Sequence, residues 1–169
     1  MGTGVRHVDR YKTEVCLVTS GTGTGSSLWI DMQYYSHVTF FIATSNSTGT
    51  PAATYTFYQA LTTGGSSSKA LSINNYFYCS GAFGTQSSSA DSWQQSSSGI
   101  TGGSFAAIST TSTLFGYAVE IHDTDLDLTN SFKCVQVSVT AASSITQALW
   151  AHCFPRFDGN FAAFPTALT

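Results

Sequence analysis

The sequence predicts an all-β protein, a sandwich or barrel of eight to ten short strands, and three observations carry that reading. Apolar residues recur with period two through most of the chain, the pattern of strands that bury one face. Val, Thr, Phe and Tyr abound while Glu, Lys and Arg are scarce, and no window shows an apolar stripe at helical spacing. Clusters of turn-forming residues punctuate the chain at 20–27 (SGTGTGSS), 46–51 (NSTGTP), 62–68 (TTGGSSS) and 96–103 (SSSGITGG). Regular spacing of this kind is the mark of short antiparallel strands. A chain of 169 residues fits one domain that buries about two thirds of its unfolded surface without metal or disulfide.

The elements follow in order. Residues 1–13 form an N-terminal arm in which Arg6, Arg10 and Lys12 supply three of the six Lys and Arg residues. Strands are predicted at 14–19 and 28–33, with the glycine-rich 20–27 between them as a hairpin loop. Residues 38–44 (VTFFIAT) are apolar or neutral on both faces, so they predict a central strand. In 54–59, Tyr55, Phe57 and Gln59 alternate with Thr54, Thr56 and Tyr58. Further strands are predicted at 70–79, 92–95 and 145–153, with shorter pairing at 105–109. In 116–122, Tyr117, Val119 and Ile121 alternate with Ala118, Glu120 and His122, and in 133–140 Val135, Val137 and Val139 share one face. The body thus spans 14–153. A C-terminal tail, 154–169, carries Phe154, Phe157, Phe161 and Phe164 between Pro155 and Pro165 without strand alternation. Four phenylalanines in an irregular tail call for burial, either on the tail's own sandwich or on a neighbouring subunit.

Composition narrows the function. Only 9% of residues are charged, against about 25% in an ordinary soluble domain. Yet 42% are hydrophobic and 14% aromatic, which excludes a disordered tract. Little charge on a strand-rich body indicates a protein packed among other proteins, with no need of a coat that keeps monomers apart. A net charge of −3 argues against a nucleic-acid partner. No apolar run approaches a membrane span, and the amino terminus has neither a hydrophobic signal region nor, with Arg6 in place of Ser or Thr, a myristoylation signal. Neither membrane attachment nor secretion by that route is expected. Cys16, Cys79, Cys134 and Cys153 form no CxxC pair, so reduced, buried thiols are expected and no zinc spacing is seen.

Candidate chemistry is sparse. Gly21, Gly23 and Gly25 follow a strand, but another strand comes next, so no helix amino terminus is there to receive a phosphate. Asp123, Asp125 and Asp127 alternate like the opening of a calcium loop, but the Gly and the terminal Glu of such a loop are missing. A helical turn burying Leu126 and Leu128, capped by Asp123 or Asp125, explains the segment equally well. No GxSxG elbow is present, and the adjacent pairs His122–Asp123 and His152–Cys153 would point to opposite strand faces. The expectation is a protein that is not an enzyme, with no catalytic residue, metal or cofactor.

One set of segments resembles small virion structural proteins of tailed bacteriophages. It comprises 28–32 (LWIDM), 35–42 (YSHVTFFI), 69–72 (KALS), 117–121 (YAVEI), 125–128 (DLDL) and 132–139 (FKCVQVSV), in matching order. Ser131 stands where a Gly usually precedes the Phe, and the C-terminal tail is longer and richer in Phe. The resemblance implies a single-domain β-sandwich, jelly-roll-like, that decorates or cements a phage head. It implies a virion location on the capsid surface, after synthesis in the host cytoplasm. Its partners would be the major capsid protein and copies of itself, with a trimer expected. Contacts are then assigned to Arg6, Arg10 and Lys12 of the arm, or to Phe154, Arg156, Phe157 and Phe161 of the tail. The alternatives are another virion component (a sandwich-type capsid protein, a head fibre base or a tail protein) or a carbohydrate-binding module using Trp29, Trp93 and Trp150.

Overall fold

A computed structural model describes residues 12–46, 53–74, 76–79, 93–96, 100–107 and 114–156. These residues form an antiparallel β-sandwich of ten strands, joined by three single-turn 3₁₀ segments. Two long strands organise it, β1 (Lys12–Ser26) and β10 (Cys134–Pro155). They pair with each other from Lys12↔Cys153 to Ser26↔Ser138. On its other edge β10 changes partner. Its first part pairs with β4 (Ala53–Ala60), from Cys134↔Ala60 to Ala141↔Ala53, and its second part with β3 (Tyr35–Asn46), from Ile145↔Asn46 to Pro155↔Tyr35. One strand thereby belongs to both layers.

The first layer is completed by β2 (Ile30–Asp31) on β10, and by β5 (Lys69–Ala70) and β8 (Ser104–Ala106) on β4. The second continues from β3 to β9 (Leu114–His122), β6 (Phe77–Cys79) and β7 (Trp93–Gln95). Val38, Phe40 and Ile42 of β3 and Tyr117, Val119 and Ile121 of β9 are buried against Tyr55 and Phe57 of β4 and Val135, Val137 and Val139 of β10. Rings meet across the layers, Phe40–Phe57 at 5.8 Å and Tyr55–Tyr117 at 6.4 Å between centroids. The alternation read from the sequence is the inward half of each strand.

Four details correct the sequence reading. Residues 20–26 are strand, not hairpin loop: β1 runs through them, with a register shift between Gly21 and Gly23 where β10 steps from Ile145 to Ala141. Three β10 residues there face one of β1, a bulge that bends the ribbon from one layer into the other. The expected strands 133–140 and 145–153 are one strand that continues two residues beyond Cys153. The expected strand 70–79 is broken into β5, an isolated Ile73↔Ile100 bridge and β6. The aspartate segment makes two 3₁₀ turns, Asp123–Asp125 and Leu128–Asn130; Leu126 is buried, but Leu128 is 59% exposed. Asp127 caps the second turn, its carboxylate accepting from the backbone N–H of Asn130 at 3.2 Å, while in the first the carboxylate of Asp125 reaches back to accept from the backbone N–H of the capping residue His122 at 2.8 Å. Cys79, Cys134 and Cys153 are buried, as expected, and act in effect as small apolar residues; the side chain of Cys16 lies outside the description.

Candidate functional site: the outer face of the second layer

Alternation that sends Val38, Phe40 and Ile42 inward sends His37, Thr39 and Phe41 outward. On β10 the outward set is Trp150, His152 and Phe154, and on β9 it is Ala118, Glu120 and His122. Register then decides which of these meet. Phe41 faces Trp150 and Ala118, Thr39 faces His152 and Glu120, and His37 faces Phe154 and His122. Directly opposed residues have Cβ atoms about 4.5–5.5 Å apart, so each triple is a row of touching side chains.

The first row is aromatic. The Phe41 and Trp150 rings stack at 5.7 Å and 14°, His152 tilts onto Phe41 at 4.8 Å, and Trp93 from β7 meets Phe41 edge-on at 6.5 Å. Trp93 is 44% exposed and the neighbouring Phe77 36%. Half-buried and exposed rings therefore lie side by side on this sheet face.

The last row is polar. Glu120 Oε1 lies 3.3 Å from His122 Nε2 and 3.8 Å from His37 Nε2. The two imidazoles stack at 5.3 Å and 29°, and Phe154 lies on His37 at 4.0 Å and 16°. Ser36 Oγ stands 3.1 Å from His37 Nδ1. Burial lowers the pKa of His37 below the usual 6.5, and the nearby Glu120 carboxylate offsets only part of that shift. A cavity of about 300 Å³ opens beside Glu120 and His122, walled by Ile73, Phe77 and Gln95.

The residues singled out in the sequence fall in several places. Phe154 is the ring that packs on His37, and Arg156 pairs with the carboxylate of Asp123 while its backbone N–H donates to Tyr34 O at 3.1 Å. Both are engaged within the sandwich itself. Lys12 opens β1 opposite Cys153, but its side chain is outside the description, and Arg6, Arg10, Phe157 and Phe161 lie outside the described residues. Of the three tryptophans, Trp150 and Trp93 flank Phe41 on this face, whereas Trp29 packs over Gly65, where an added Cβ would come within 2.9 Å of its Nε1. Asp127 accepts from Lys69 Nζ and from Asn130, which holds its carboxyl below the ordinary value. That segment is turn architecture.

His37 and Phe41 were not singled out from the sequence, and Glu120 entered there only as an outward residue of the strand alternation, with no motif to mark it. Glu120 and His122, two apart in a strand, share a face, so half of the polar row was legible. His37 joins them only through the pairing of β3 with β9.

No protein-family model matches the chain, and no curated protein matches it. Among solved structures, it is similar to the structure of the infectious bursal disease virus Gx strain, with a TM-score of 0.26 and 12% identity. It is also similar to that of the Gt strain, with a TM-score of 0.25 and 11% identity. In each case the match covers 87% of this chain and 41% of that one, so this chain spans less than half the length of those it matches. Likeness at this level establishes neither a common fold nor a common role.

Proposed function

We propose that this chain is a non-enzymatic structural protein of a virus particle, and within that class a capsid decoration or cement protein of a tailed bacteriophage. The observation that carries the reading is the outward aromatic cluster, with Phe41 and Trp150 stacked and Phe77 and Trp93 exposed, on a chain with only 9% charged residues. Patches of exposed aromatic side chains on a folded domain are interaction surfaces, since in a free monomer they leave apolar area in water. The virion segments noted in the sequence support the same reading. In this account the face packs against a second copy or the major capsid protein, the oligomer is a closed ring such as a trimer, and the work is mechanical: holding shell subunits together against pressure from within.

Arg156 and Phe154 are spoken for inside the sandwich, so the arms available for reaching the shell are residues 1–11 and 157–169. The test is co-sedimentation of purified protein with phage heads that lack it. Trp93→Ser combined with Phe77→Ser is expected to lower occupancy at least about ten-fold while leaving the fold intact, because both side chains are already partly in water. Removal of 157–169 should weaken attachment without unfolding the body. Wild-type occupancy for both variants would sink the proposal, and so would binding to purified glycans in place of particles, which would favour the carbohydrate-binding alternative.

A further inference from the structure

We propose that His37, Glu120 and His122 bind a zinc ion on the outer face of the β3–β9 strand pair. The donor set is two imidazole nitrogens and one carboxylate oxygen, the combination that zinc takes in three-residue sites with a fourth position left to water. With bonds of about 2.0–2.1 Å, tetrahedral geometry places ligand atoms about 3.3–3.4 Å apart. The two edges from Glu120 measure 3.3 and 3.8 Å, and the three ligand atoms all lie within 4.8 Å of one another. A rotation of the exposed His122 ring closes the remaining gap, so the ligands need no backbone movement.

Four further features prepare the site. His122 and Glu120 stand two apart on one strand and His37 directly opposite His122 on the next, so sheet register holds all three Cα atoms in place. Phe154 stacks on His37 at 4.0 Å and limits the rotamers of that imidazole, while the His122 ring, 51% exposed, keeps the freedom to turn. Ser36 Oγ engages Nδ1 of His37 and leaves Nε2 directed at Glu120, the outer-shell support that fixes a ligating histidine. The cavity of about 300 Å³ beside Glu120 and His122 gives an ion a route in and gives water the fourth position. One carboxylate with two neutral imidazoles leaves a divalent ion with a net positive charge, and the nitrogen donors disfavour magnesium and calcium, which take oxygen. The proposal stands apart from the virion reading and draws on different residues.

The test is calorimetric titration of the full, metal-stripped chain with zinc chloride at neutral pH, with magnesium chloride as the control. The expected result is one equivalent of zinc bound at micromolar affinity or better, and no heat from magnesium. His37→Ala, Glu120→Gln and His122→Ala should each weaken zinc by about ten-fold or more, and His152→Ala, on the same face but outside the triad, should leave it within about two-fold. Should a variant misfold, NMR of the wild-type chain decides: zinc should shift the ring signals of His37 and His122 and leave His152 unmoved. No binding, binding that survives Glu120→Gln, or a shift at His152 instead would overturn the proposal.

Discussion

Cys134 shows how one buried side chain ties the stability of the sandwich to pH. It is fully buried where β10 meets β2 and β4, and burial, with Asp31 nearby, pushes its thiol up to about 11 from an ordinary 9.0. A raised acid stabilises the fold while both states are protonated, and that contribution is lost as pH climbs from the unfolded value to the folded one. Stability should therefore fall between about pH 9 and 11, and a Cys134→Ala variant should lose less over that window than wild type. Thermal melts at pH 8 and 10.5 would measure it, and parallel slopes for the two proteins would refute the assignment. In the native state at pH 8 the same thiol should resist alkylation, because only the thiolate reacts. That cysteines here would be inert was legible from their apolar neighbours in the sequence. Which layer covers each one was not.

At the scale of elements, the short 3₁₀ turn at Thr101–Gly103 shows where backbone geometry leaves no alternative residue. Gly103 has a φ of +77°, and an added Cβ would lie 2.8 Å from Phe57 O and 2.9 Å from Leu71 O. Gly102, at φ +70°, has nothing within 4 Å of that position. Gly103→Ala should cost about 2–4 kcal/mol, left-handed strain plus displaced backbone, whereas Gly102→Ala should cost only about 1–2 kcal/mol of strain. Chemical denaturation of the two variants separates the terms, and equal losses would show that the close approach to β4 does not matter. The sequence marked this stretch as a turn but could not rank its glycines, since crowding comes from Phe57 and Leu71, far away in the chain. The same limit explains the misread loop at 20–27. Gly and Ser there satisfy a turn pattern, yet the 22-residue β10 offers a partner edge on both sides of its bulge and the segment pairs with it.

Across the whole molecule, the two layers are held by more than apolar area. Tyr55 of β4 donates from its hydroxyl to Gln147 Oε1 of β10 at 2.8 Å, a buried bond between one layer and the other. Burial raises the pKa of that hydroxyl, so it remains a donor throughout the neutral range. Tyr55→Phe keeps the ring packed against Phe105 and Tyr117 and removes only the hydroxyl, which also engages the Thr44 side chain. The buried amide oxygen then loses a partner, at a cost of about 1–3 kcal/mol or roughly 3–10 °C in Tm for a chain of this size. A calorimetric scan with Tm unchanged would mean that the layers do not depend on this bond.

What the sequence determined by itself was local: the strand class, the inward-facing residues and the scarcity of charge, because period-two alternation and composition are properties of neighbouring residues. The tertiary structure alone decided that β10 serves both layers and that β1 runs along it through the glycines. It also decided that Phe41, Trp93 and Trp150 meet on one face, and His37, Glu120 and His122 at one corner. The physical reason is register: antiparallel pairing joins residues about 70 to 120 positions apart in the chain, and no local pattern records which strand lies beside which.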